Sequence, residues 1–95
     1  MYVVRETLMA KPGMASKMAK AFKTMATIVQ GRYTIRVMTD VIGPFNTVLF
    51  ETEVPSLDEF KKLEEELMGR EDVREVMKGY TDMYLEGKRE VFRLV

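Results

Sequence analysis

A chain of 95 residues has room for one domain around one core, because a chain this short buries only about 60–65% of the surface it exposes when unfolded. Its 46% hydrophobic and 32% charged residues belong to a globular chain, and no apolar run approaches the roughly 20 residues that cross a bilayer. Fifteen basic residues balance fifteen acidic ones, leaving no global field for nucleic acid or an anionic membrane, and the lack of Cys and His excludes disulfides, thiolate zinc sites, cysteine nucleophiles, imidazole bases and histidine-ligated haem.

The first segment, Tyr2 to Met9, is β-branched and aromatic, is interrupted by Arg5, Glu6 and Thr7, and stops at the turn signal Lys11-Pro12-Gly13, which predicts a first strand. From Met14 the period changes to three and four: Met14, Met18, Ala21, Phe22, Met25, Ile28 and Val29 share a face, with Lys17, Lys20 and Lys23 off it. That spacing predicts an amphipathic helix ending near Gly31.

Residues 33–41 alternate, with Ile35, Val37, Thr39 and Val41 on one side and Arg36, Met38 and Asp40 on the other. After Ile42-Gly43-Pro44-Phe45 the alternation resumes, with Asn46, Val48, Phe50 and Thr52 out of phase with Thr47, Leu49, Glu51 and Glu53. A hairpin centred on Gly43-Pro44 then pairs Val37 with Phe50 and Thr39 with Val48 on one face, and Arg36 with Glu51 and Met38 with Leu49 on the other.

Pro55 closes this strand, and Ser56-Leu57-Asp58-Glu59 reads as a capping box that opens a second helix, with Leu57, Phe60, Leu63 and Leu67 on its apolar stripe. Gly69 breaks that helix. A further helical stretch is expected from about Asp72, carrying Val73, Val76, Met77, Tyr80 and Tyr84, until Glu86-Gly87 turns the chain into a last strand over 90–95. The expected architecture is α+β: a single domain over 1–95 with the ferredoxin-like order β-α-β-β-α-β, an antiparallel sheet, and both helices on one face. The uncovered face, with Met38 and Leu49 among its charges, calls for a partner, and pairing sheet to sheet with a second copy is the simplest solution.

The run Thr39-Asp40-Val41-Ile42-Gly43-Pro44-Phe45-Asn46-Thr47-Val48, followed by Glu53-Val54-Pro55-Ser56-Leu57-Asp58-Glu59, resembles NIPSNAP-like proteins, in which an acidic residue, Gly-Pro, a hydrophobic residue and Asn precede an apolar strand and a Ser-Leu helix start. The resemblance implies the dimeric α+β barrel, in which two ferredoxin-like sheets close on each other. That wider superfamily holds cofactor-independent quinol monooxygenases, haem-degrading enzymes, lactone isomerases, dehydratases and ligand-sensing domains, and fold alone does not choose among them. The aromatic residue usual in the family after the third strand is replaced here by Phe50 or Glu51.

Ligands of the superfamily lie between the sheet and its own helices. By the hairpin phase Thr39, Asn46 and Phe50 point to that side, and Tyr80 and Tyr84, one helical turn apart, approach from the second helix, so these five are the candidate ligand-binding residues. Three of them have a plainer alternative: Asn46 satisfying the hairpin backbone, and Tyr80 and Tyr84 packing at a helix-sheet boundary. Either Arg5 or Glu6 must also face the helices, where a charge needs a partner. Arg36, Glu51 and Arg93 read as polar pairs of the dimer face. No calcium-loop, Walker or dinucleotide glycine motif supports a metal or cofactor, so none is expected, nor is a nucleic-acid or membrane partner. No secretory leader is visible at the N-terminus, so a cytoplasmic location is expected. The expected function is the binding of a small hydrophobic or aromatic molecule by a homodimer. A cofactor-independent monooxygenase or isomerase, and a purely structural dimer, are the alternatives.

Overall fold

The computed structural model describes residues 1–95, the whole chain. Strand β1 spans Tyr2–Ala10, helix α1 Ala15–Ile28, β2 Thr34–Thr39, β3 Thr47–Val54, α2 Leu57–Gly69, α3 Glu71–Val76 and β4 Tyr84–Arg93, with one 3-10 turn at Tyr80–Asp82. The four strands form one sheet in the order β2-β3-β1-β4, every neighbouring pair antiparallel. The ferredoxin-like order and the break beside Gly69 are as expected, and no helix is long and apolar enough to cross a membrane.

The register of the β2–β3 hairpin follows the alternation read from the sequence: Val37 faces Phe50, Thr39 faces Val48, Arg36 faces Glu51 and Met38 faces Leu49. On β1 the same period turns Val4, Glu6 and Leu8 to the helices and Val3, Arg5 and Thr7 to the open face. Glu6, not Arg5, is therefore the charge beneath the helices.

Four expectations are corrected. The last strand begins at Tyr84 rather than Glu90, so Glu86 and Gly87 lie inside β4 instead of turning into it. Both sides of this edge strand are largely wet, which hides its period, and Gly87 is a packing glycine: a Cβ there would lie 2.5 Å from Leu8 Cδ2. The helical stretch after Gly69 ends at Val76; Gly79, at φ +78°, swings the chain into the 3-10 turn, so Tyr80 sits in that turn and Tyr84 in a strand. Arg93 stands opposite Tyr2, on the helix side of the sheet, with its guanidinium 5.8 Å from that ring, and is not on the face of Arg36 and Glu51. The capping box is one-sided: Ser56 Oγ accepts the Glu59 N–H at 3.1 Å, while the Glu59 carboxylate accepts the Tyr33 hydroxyl at 3.0 Å instead of returning to the cap.

Buried side chains form two clusters. One gathers Leu8, Met18, Phe22, Val48 and Phe50 between α1 and the sheet; the other gathers Val29, Leu63, Leu67 and Val73 where α2 and α3 meet the end of α1. Only partly buried residues bridge them, and Met25, Ile35 and Met77 pack against both. Unbranched, flexible Met suits such an irregular seam, which the two clusters do not fill completely.

Candidate functional site

The space at this seam is a cavity of about 370 Å³ between the sheet and the helices, lined by 16 residues, 11 of them hydrophobic. Phe22 and Phe50, 5.2 Å apart between ring centroids, line it from the first cluster; Leu63, Leu67 and Val73 line it from the second, with Met25 and Met77 between them. The strands supply the floor through their helix-facing residues Glu6, Ile35, Phe50, Thr52 and Arg89.

One end of the cavity is charged. Arg89 Nε donates to Glu6 Oε1 at 2.8 Å and Nη2 donates to Glu64 Oε2 at 2.6 Å, with the guanidinium 5.1 Å from the centroid of the Phe60 ring. Burial pulls the Arg89 pKa down, but the bonds to the two carboxylates outweigh it and raise it. Tyr80 stands near this cluster, 6.1 Å from Tyr84 in a stacked pair and 6.5 Å from Phe22. Burial first, then Tyr84, Glu6 and Glu64, push the Tyr80 hydroxyl above its ordinary value, so at neutral pH it is a hydrogen-bond donor.

Of the five residues singled out from the sequence, Phe50 and Tyr80 line this cavity. Tyr84 lies just outside, lining a neighbouring depression with Tyr80, Glu6 and Arg89. Thr39 lines a separate open groove beside α1, with Asp40, Lys20 and Lys23. Asn46 sits in the hairpin at φ +63°, its carbonyl accepting the Ala10 N–H at 2.8 Å, a position that Asn tolerates better than most residues. Neither Thr39 nor Asn46 reaches the cavity. Sequence reading left out Glu64, Arg89, Phe60 and Thr52. The signal available for Thr52 was its place in the apolar phase of β3, where a hydroxyl is out of keeping with Val48 and Phe50.

The open face of the sheet carries a second polar cluster. Glu51, 5% exposed, accepts from Arg5 Nε at 2.6 Å and from Arg36 Nη2 at 3.1 Å, and Arg36 also reaches Glu53 at 3.4 Å. Burial pushes the Glu51 carboxyl up, but the two arginines outweigh it and hold it below the usual carboxylate range. Val3, Met38, Leu49 and Phe92 surround this cluster on the same face, and Arg5 lies 5.1 Å from the Phe92 ring. No group of three or more acidic side chains is arranged to hold a metal ion.

A twisted four-stranded sheet with helices on one face and an apolar cavity beneath them defines the class: a ferredoxin-like α+β domain with a ligand-sized pocket. Among solved structures it is similar, along its whole length, to NIPSNAP-domain proteins. One from Burkholderia xenovorans superposes with a TM-score of 0.82 at 14% identity, covering 100% of this chain and 95% of that one. A NIPSNAP family protein from Agrobacterium tumefaciens gives 0.82 at 13% identity over 99% and 92% of the two chains. An antibiotic biosynthesis monooxygenase gives 0.73 at 13% identity over 100% and 99%. No family model and no curated protein matches the sequence. The chain thus has the fold of the NIPSNAP-domain proteins, which include one described as of unknown function.

Proposed function

We propose that this protein binds a small, mostly apolar molecule in the cavity between its sheet and helices, and does so as a homodimer paired through the open sheet face. The observation that carries the reading is the cavity itself: about 370 Å³ in a domain of 95 residues, with apolar walls and polar groups at one end and on the floor. A structural dimer has no need of such a space, because filling it with larger side chains would add packing contacts. The pairing rests on Met38, Leu49 and Phe92, which stand partly exposed around a Glu51 already closed off by two arginines, an arrangement suited to burial against a like surface.

A second reading, a cofactor-independent monooxygenase or isomerase, draws on the likeness of fold to the antibiotic biosynthesis monooxygenase. Here Tyr80, held as a protonated phenol, would donate to an oxygen of the substrate while the apolar walls exclude water.

Native mass spectrometry of the purified protein tests the first reading. A dimer carrying a discrete added mass is expected. A monomer at micromolar concentration overturns the pairing, and failure of the cavity to take up any apolar probe overturns the binding.

A further inference from the structure

The cavity floor holds one group for which the core has no use. Thr52 lies on β3 between Ile35 of β2 and Val4 of β1, on the helix-facing side, and is 1% exposed. None of the chain's side-chain hydrogen bonds involves it, yet no side-chain polar atom sealed from open space lacks a partner. Its hydroxyl therefore opens onto the cavity that Thr52 lines. A hydroxyl without a partner at such a depth is costly beside the isosteric Val, so the core alone gives no reason for Thr.

The charges of the cavity restrict what this hydroxyl can receive. Arg89 is bound by both Glu6 and Glu64, two carboxylates to one guanidinium, so an incoming carboxylate is repelled there more than attracted. The other cation in the wall, Arg74, is exposed on α3, where water competes for it. What remains unused are two hydroxyl donors in apolar surroundings, Thr52 on the floor and Tyr80 at the rim, and neither donates to another side chain.

We propose that the Thr52 hydroxyl is the orienting contact of this cavity, donating to the carbonyl oxygen of a neutral, mostly apolar ligand, and that the Glu6–Arg89–Glu64 cluster turns carboxylates away. The proposal rests on the reading of the cavity as a ligand site and adds the chemistry of the ligand to it.

Three bicyclic probes separate these claims by calorimetric titration: α-tetralone, a neutral ketone; tetralin, the same skeleton without the oxygen; and 1-naphthoate, an anion. Thr52→Val is expected to weaken α-tetralone about five-fold, the equivalent of one neutral hydrogen bond, and to leave tetralin unchanged or improved. Thr52→Ser, which keeps the hydroxyl, is expected to retain the ketone, and Thr52→Val is expected to be at least as stable as the parent, since no protein bond is lost. A ratio of α-tetralone to tetralin affinity that Thr52→Val leaves unchanged overturns the role of Thr52. Tighter binding of 1-naphthoate than of α-tetralone overturns the exclusion of anions. If neither neutral probe binds the parent protein, the cavity is not a ligand site and the underlying reading falls with it.

Discussion

Glu6 of β1 and Arg89 of β4 are direct cross-strand partners on the helix-facing side of the sheet, and the same guanidinium reaches on to Glu64 of α2. One side chain thus ties the edge strand, the strand beside it and the helix over the cavity.

Replacing Arg89 with Met keeps an unbranched apolar stem but removes the guanidinium, leaving two partly buried carboxylates facing each other. A loss of about 1–3 kcal/mol in urea unfolding is expected, more than the loss of under about 1 kcal/mol expected for Glu64→Gln, whose partner keeps Glu6. Equal losses in the two variants would show that Glu6 is not the partner that matters.

The Glu51 carboxyl lies below its ordinary value of 4.5 in the folded chain, so the native state binds fewer protons there than the unfolded state as pH falls through that range. Its contribution is fully present above about pH 4.5 and is lost as pH falls toward the lowered folded value. Glu51→Gln is expected to be less stable than the parent near neutrality by about 1–3 kcal/mol, with the gap closing on acidification. Denaturant midpoints of both proteins between neutral and acid pH check this, and a constant gap would contradict it.

Gly87 is required by contact rather than by backbone angle. Gly87→Ala places a methyl carbon 2.5 Å from Leu8 Cδ2, in the cluster that also holds Phe22 and Phe50, and is expected to cost about 1–3 kcal/mol. Gly69→Ala, at the end of α2 with nothing within 4 Å, is expected to be neutral or stabilising by up to about 1 kcal/mol. Thermal melts of the pair measure the difference directly.

Where one face of an element is dry and the other wet, the sequence carried the structure: Val37, Phe50 and Val48 against Arg36 and Glu51 set the hairpin register, and Met18 and Phe22 set the buried face of α1. Where both faces are wet the period disappears, and β4 was misplaced by six residues at its start, Tyr84 against Glu90. The turn at Gly79 was missed because Val73, Met77, Tyr80 and Tyr84 keep a helical spacing although the chain no longer follows it. The candidate site was half legible for the same reason. Phe50 and Tyr80 were found through strand phase and aromatic character, whereas Arg89 sits in the misplaced strand and Glu64 within a charged run that reads as solvated surface.

The nine methionines offer the most direct test of the account, because Met25, Met68 and Met77 line the cavity while Met38 lies on the open sheet face. With methyl-labelled methionine, titration of α-tetralone is expected to shift the resonances of Met25, Met68 and Met77 saturably and to leave Met38 in place. Shifts confined to Met38, or none at all at saturating probe, would contradict a ligand site between the sheet and the helices.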